Sequence, residues 1–200
     1  MVRKITKTEI IGLYLADYGK RYYLRELANL LKKPHQTIKP YVELLVKENI
    51  LLKNERMNIT EYSLNFDSKR IYDYLTIAEK EKLNKRLEED PVLRILFEKL
   101  SPFFRDSTFV IFGSAVNKIQ PNSDIDLIIV GKQNINKTID DFEEIYNKKI
   151  HKVNTRKLDN LTTTLTKEIY KKHLILNNTE MIIRFFGELY WFYNYPFIMT

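Results

Sequence analysis

The chain has 200 residues, 44% of them hydrophobic and 30% charged, enough for one sizeable core or two small ones in an ordinary soluble protein. It holds no cysteine, which excludes disulfides, thiolate metal sites and a cysteine nucleophile, and with only three His a zinc site is not expected, so any metal is expected on oxygen ligands. A net charge of +7 favours polyanionic partners such as nucleic acid or nucleotides, although a lysine-rich surface serves solubility equally well.

No apolar stretch approaches the roughly 20 residues that cross a bilayer, and the basic start MVRKITKTEI lacks the apolar region of a secretory signal. A cytoplasmic protein with no membrane partner is expected. From Thr6, TEIIGLYLADYG has helical apolar spacing, with Thr6 or Thr8 to cap it and Gly19 to stop it. The period returns in YYLRELANLLKK through Leu24, Leu27, Leu30 and Leu31, breaks at Pro34, and resumes in QTIKPYVELLVKENI through Ile38, Val42 and Leu45. Three short helices in about fifty residues suggest a helix-turn-helix unit. Two β-prone runs follow, ILLK and ITEYSL, with a polar turn around Asn54 to Asn58 between them, the pattern of a hairpin wing.

In this order the elements of residues 6–65 resemble a winged helix-turn-helix, with LRELANLLKKPHQTIKPYVELLVKENIL as its paired helices. The resemblance implies duplex DNA as a partner. A major-groove helix reads bases mainly with its N-terminal end, so Gln36, Thr37, Lys39 and Tyr41, with Lys53 and Arg56 on the wing, are the candidate contacts. Pro40 falls inside the proposed recognition helix, where an interior proline costs about 3 kcal/mol; the helix either begins near Lys39 or is kinked. The plain alternative is that the three helices only pack together or dimerise.

FDSKRIYDYLTIAEKEKLNKRLEED reads as a linking helix, and PVLRILFEKL as a short amphipathic helix with proline in its first turn. TFVIF, DLIIV and KKIHKV are β-like, and DDFEEIYNK between the last two is helical, so strands and helices interleave. The expected fold class is α+β: a winged helix-turn-helix over residues 1–66, a helical linker over 67–91, and over 92–200 an α/β domain with an aromatic C-terminal segment.

The chemistry lies in FGSAVNKIQPNSDIDLIIV, Phe112 to Val130. Gly113 permits close backbone approach, and Ser114 with the N–H groups opening the next helix can cradle a phosphate. Strand alternation points Asp124 and Asp126 to one side, roughly 6–7 Å apart at Cα, and two like charges so close are explained if they share Mg2+. Gly-Ser, nine residues, then Asp-Ile-Asp before an apolar strand is similar to the signature of the DNA polymerase beta-like nucleotidyltransferases, closest to the minimal ones.

That resemblance covers about residues 92–186 and implies a small mixed sheet with helices on one side. It implies transfer of a nucleoside monophosphate from a triphosphate, usually ATP, with two Mg2+ ions: Gly113 and Ser114 hold the triphosphate, and Asp124 and Asp126 bind metal. Two features depart from it. Asn117-Lys118 stands where many members have Arg-Gly, so the charge partner for phosphate is either weakened or replaced by Lys118. The strand that should bear a third carboxylate reads KKIHKVN, with His151 or Asn154 in its place and Asp159 beyond. A lone His between lysines more often is simply solvated.

The basic run around Lys148, Lys149, Lys152, Arg156 and Lys157 suits a phosphate backbone or a solvated face equally. The tail RFFGELYWFYNYPFIMT is dense in aromatics, which can stack bases near Lys or Arg, but reads mainly as core or as an oligomer interface such as that of a homodimer. Two functions are expected from these features. One is a Mg2+-dependent nucleotidyltransferase acting on an unidentified acceptor, small members of that family being antitoxins that modify a partner toxin. The other is a DNA-binding regulator whose nucleotidyltransferase domain has lost catalysis.

Overall fold

The computed structural model describes residues 4–57, 59–120 and 122–194. The fold is mixed α+β, with two separate sheets, and the chain divides into two compact units, residues 1–78 with 183–200, and residues 79–182.

In the first unit, helix α1 (Lys7–Ile11) opens on a capping box in which Thr6 and Glu9 satisfy each other's backbone N–H groups, then tightens into a 3-10 turn at Gly12–Tyr14. The helix expected to reach Gly19 therefore ends early. Strand β1 (Tyr22–Tyr23) leads into α2 (Leu24–Leu30), and α3 (His35–Lys47) follows a turn at Pro34. Strands β2 (Leu51–Arg56) and β3 (Ile59–Leu64) form the expected hairpin, and β1 adds to β3, giving the order β1-β3-β2. Three helices and a β-hairpin in this order make a winged helix-turn-helix arrangement.

Ile10, Ile11, Leu27, Ile38, Val42, Leu45 and Ile50 are all fully buried at its centre, each contributing about 1.5–3 kcal/mol. The Tyr14 hydroxyl donates to the Tyr62 carbonyl at 3.0 Å, joining the first helical segment to the sheet. Pro40 sits in the second turn of α3, which neither starts after it nor stops at it. Pro40 and Gln36, whose carbonyl the missing N–H would have met, are both exposed, so that acceptor is open to solvent rather than buried unpaired.

Helix α4 (Ile71–Glu89) passes from the first unit into the second, and α5 (Pro91–Leu100) follows with Asp90 as N-cap and Pro91 at its first position. The remaining elements of the second unit are β4 (Ser107–Phe112), β5 (Ile125–Gly131), α6 (Asn136–Tyr146), β6 (Ile150–Thr155), α7 (Thr163–Lys171) and β7 (His173–Ile175); α8 (Thr179–Asn194) begins there and ends in the first unit. The strand order is β6-β5-β4-β7, with β5 and β6 parallel and the other pairs antiparallel, which is the mixed sheet expected. Phe109, Ile111, Ile125, Leu127 and Ile129 face one way into a core shared with Leu93, Leu96, Leu100, Ile139 and Phe142 of α5 and α6. The opposite face carries Phe112, Asp126 and His151. The last part of the aromatic tail, 195–200, lies outside the described residues.

A candidate nucleotide site at the Gly-Ser turn

Strand β4 is buried at every position, so its end is fixed within the sheet, and the chain leaves it through an extended Phe112 into Gly113 with φ of +71°. That left-handed conformation favours glycine. A second constraint acts on the same residue: a Cβ at Gly113 would lie 2.7 Å from Asp126 Oδ2. The missing side chain thus lets the carboxylate rest directly against the turn. Gly113–Val116 forms a 3-10 turn anchored by buried Ala115 and Val116, and Ser114 is exposed on it.

Asp126 pairs with Phe112 across β4 and with His151 across β6, and direct partners project to the same face. His151 Nδ1 lies 3.2 Å from Asp126 Oδ1. Asp124 is exposed immediately before β5, in a loop held by the Ile125 N–H donating to the Lys149 carbonyl at 2.9 Å and Lys148 Nζ donating to the Gln120 carbonyl at 2.7 Å. Glu143, on the helix between β5 and β6, accepts the Ile150 N–H at 2.5 Å and so pins the start of β6.

The register changes the reading of the missing acid. Asn154 is the partner of Ile129, on the face opposite Asp126, whereas His151 and Val153 share the face of Asp126. His151 is therefore the residue beside the carboxylate, and Asn154 is not. Asp159 is exposed in a 3-10 turn after β6.

Lys118 stands apart from the other candidates. It lines a cleft of about 280 Å³ together with Arg86, Glu89, Asp90, Pro91, Asn117 and Ile119. There Arg86 Nε donates to the Val116 carbonyl at 2.9 Å and its other nitrogen to Asp90 at 3.0 Å, while Asp90 also accepts from the N–H groups of Leu93 and Ile119. Burial pushes the Asp90 carboxyl up, but the Leu93 N–H, Arg86 and the Ile119 N–H outweigh it and hold the group below its usual range. This clamp fixes the segment that follows the Gly-Ser turn.

Two further polar features went unread in the sequence. Buried Asn177 accepts the Phe109 N–H at 2.8 Å and donates to the carbonyls of Phe104 and Ser107, tying β7 to the start of β4. Buried Glu79 and His173, each 1% exposed, meet at 2.7 Å, with Lys82 3.2 Å from the same carboxylate. Burial drives Glu79 upward, and the charges of His173 and Lys82 reverse this and hold its carboxyl below the ordinary value. Only their polar character within apolar periods marked these residues, and the contacts that join Asn177 to β4 and His173 to Glu79 span about seventy to ninety-four residues.

On the winged helix, Gln36, Thr37 and Lys39 are exposed in the first half of α3, Tyr41 is half-buried, and Lys53 is exposed on β2. The Arg56 side chain lies outside the described residues. Lys39 is 3.7 Å from Glu43, and Lys53 is 2.5 Å from Glu55, so acidic neighbours accompany both lysines. Residues 1–78 and 183–200 nonetheless hold 15 of the 33 Lys and Arg against 10 of the 26 Asp and Glu, a net +5 of the chain's +7.

No curated protein matches the chain. Two solved structures are similar to it: the adhesin competence repressor AdcR from Streptococcus pyogenes, at 20% identity and a TM-score of 0.32 over 52% of this chain and 81% of that one, and HmgR of Pseudomonas aeruginosa, at 16% identity and a TM-score of 0.28 over 64% of this chain and 47% of that one. Residues 98–181, which contain the Gly-Ser turn, both aspartates and His151, match the family described as "Polymerase beta, Nucleotidyltransferase", and this stretch is a domain of nucleotidyltransferase kind.

Proposed function

We propose that the second unit binds a nucleoside triphosphate, most simply ATP, and transfers its nucleoside monophosphate to a hydroxyl acceptor in a Mg2+-dependent reaction. The observation that carries this reading is the close approach of Gly113 and Asp126, which sets the Gly-Ser turn directly against a carboxylate. In the transfer an acceptor oxygen bonds to the α-phosphorus, the bond from that phosphorus to the bridging oxygen breaks, pyrophosphate leaves, and the acceptor proton passes to water or a nearby base. The N–H groups opening the 3-10 turn and the Ser114 hydroxyl are donors for the phosphate oxygens.

Asp124 and Asp126 would hold the metal. The fit is good on the donor set: both are oxygen ligands, neither is engaged by Lys or Arg among the described residues, and hard cations take such ligands with water. A bound Mg2+ supplies charge neutralisation on the triphosphate and stabilises the leaving pyrophosphate. Lys118, in its separate cleft with Glu89 and Asp90, is the weaker candidate for phosphate.

A second reading is favoured by one observation, that a histidine and not a carboxylate stands beside Asp126. On that reading the domain binds nucleotide without turnover and the winged helix, which carries most of the net charge, binds duplex DNA. Incubation of the whole chain with labelled ATP, Mg2+ and a lysate from its own source separates the two. Label on a protein, RNA or small molecule supports transfer; a toxin partner would appear there as a labelled protein. No label, together with DNA binding that responds to ATP, supports the regulator.

A further inference from the structure

The pair formed by Asp126 and His151 is the part of the site that two carboxylates alone do not explain. The His151 ring is 68% exposed and the Asp126 side chain 31%, so an ion from solvent reaches both. They project from one face because they are direct partners of parallel strands, and Nδ1 lies 3.2 Å from Oδ1. Two adjacent ligands of an octahedral ion with bonds of about 2.1 Å lie about 3.0 Å apart. The pair meets at hydrogen-bond distance, and that separation is close to one edge of such an octahedron.

We propose that His151 and Asp126 ligate the divalent ion together, and that the site consequently prefers Mn2+ to Mg2+. The inference rests on the nucleotidyl-transfer reading and names the ion of that same site. Mg2+ is hard and gives up water reluctantly, so a neutral nitrogen adds little to its binding, whereas a first-row transition ion of the same charge and octahedral preference gains from imidazole. Among the described residues no three His, Asp or Glu side chains already enclose a common point. The remaining ligands are therefore triphosphate oxygens and water, with Asp124 two residues before Asp126, in the loop that enters β5. His173 is unavailable for this role, being 1% exposed and paired with Glu79.

The test uses the whole chain with Mn2+ and inorganic triphosphate, which contains no nitrogen. Pulsed electron paramagnetic resonance is expected to show 14N coupling from a directly bound imidazole, lost in His151→Ala. The same variant is expected to weaken Mn2+ by about tenfold while leaving Mg2+ nearly unchanged, and His151→Asp to shift the preference to Mg2+. Wild-type Mn2+ binding that depends on Asp126 but shows no 14N coupling would overturn the assignment and leave the nucleotidyl-transfer reading standing. Absence of any triphosphate-dependent binding of either ion sinks both.

Discussion

Gly113→Ala separates the backbone's demand from the site's. An L side chain in the left-handed region costs about 1–2 kcal/mol, and Gly113 has φ of +71°. The added Cβ meets Asp126 Oδ2 at 2.7 Å, well inside contact distance. That atom is the end of a side chain with 31% exposure, so the carboxylate rotates away at little extra cost. Stability should then fall by only about 1–2 kcal/mol, which in a chain of this size lowers the melting temperature by roughly 2–8 °C. Nucleotide affinity should fall further, by about tenfold or more, because the rotated carboxylate no longer faces the Gly-Ser turn. Gly12→Ala is the control: Gly12 has φ of −54° and nothing within 4 Å of a built Cβ, so it should leave both quantities unchanged or raise stability slightly. Differential scanning fluorimetry gives the first quantity and calorimetric titration with MgATP the second. Wild-type affinity in a destabilised Gly113→Ala would refute the claim that the Gly113–Asp126 contact belongs to a nucleotide site.

The double variant Asp124→Asn with Asp126→Asn should abolish metal-dependent nucleotide binding and leave the fold intact, with calorimetry as the check and unchanged affinity as the contrary result. Glu79→Ala should cost about 3–5 kcal/mol by stranding His173 and Lys82, read from urea unfolding. Because the folded-state carboxyl of Glu79 lies below its unfolded value, its contribution is present above the ordinary carboxylate range and is lost as pH falls through the lower folded value. Glu79→Gln should therefore flatten the acid limb of stability against pH. On the winged helix, Glu43→Gln and Glu55→Gln free Lys39 and Lys53 from their acidic neighbours and should tighten duplex binding, whereas Lys53→Ala should weaken it across all sequences and lower the salt slope by roughly 0.9. His151→Asp should raise Mg2+-dependent transfer by about tenfold or more and Asn154→Asp should not, a comparison made by single-turnover assay with labelled ATP.

Much of the fold was legible because its signals are local. Apolar spacing marked α2, α3, α4 and α5, and β-branched runs marked the wing, β4 and β5. Thr6 and Asp90 sit at helix starts where capping chemistry puts such residues. What escaped has its cause elsewhere in the chain. Strand β1 is two residues long and exists only through pairing with β3, and β7 exists through pairing with β4. The Arg86–Asp90 clamp closes across about thirty residues, and Asn177 reaches back about seventy. In the site, the Gly-Ser turn and Asp126 were visible as residue types at a spacing, but the side of the sheet taken by each residue of KKIHKVN depends on a register that spacing does not contain.

That register also determines what Asp126 meets. In the strand order β6-β5-β4-β7, His151, Asp126, Phe112 and His173 fall on one row across the sheet and project to one face. The row grades from wet to dry: His151 is largely exposed, Asp126 partly so, Phe112 is 7% exposed, and His173 is buried against Glu79. Asp126 is therefore open to solvent from the β6 side, since burial closes the other. A shift of one residue along β6 would turn the imidazole to the other face and set Ile150 or Lys152 beside the carboxylate in its place. For this reason residue 151, rather than any acid further along the strand, decides whether Asp126 acts with a nitrogen beside it or with a second oxygen.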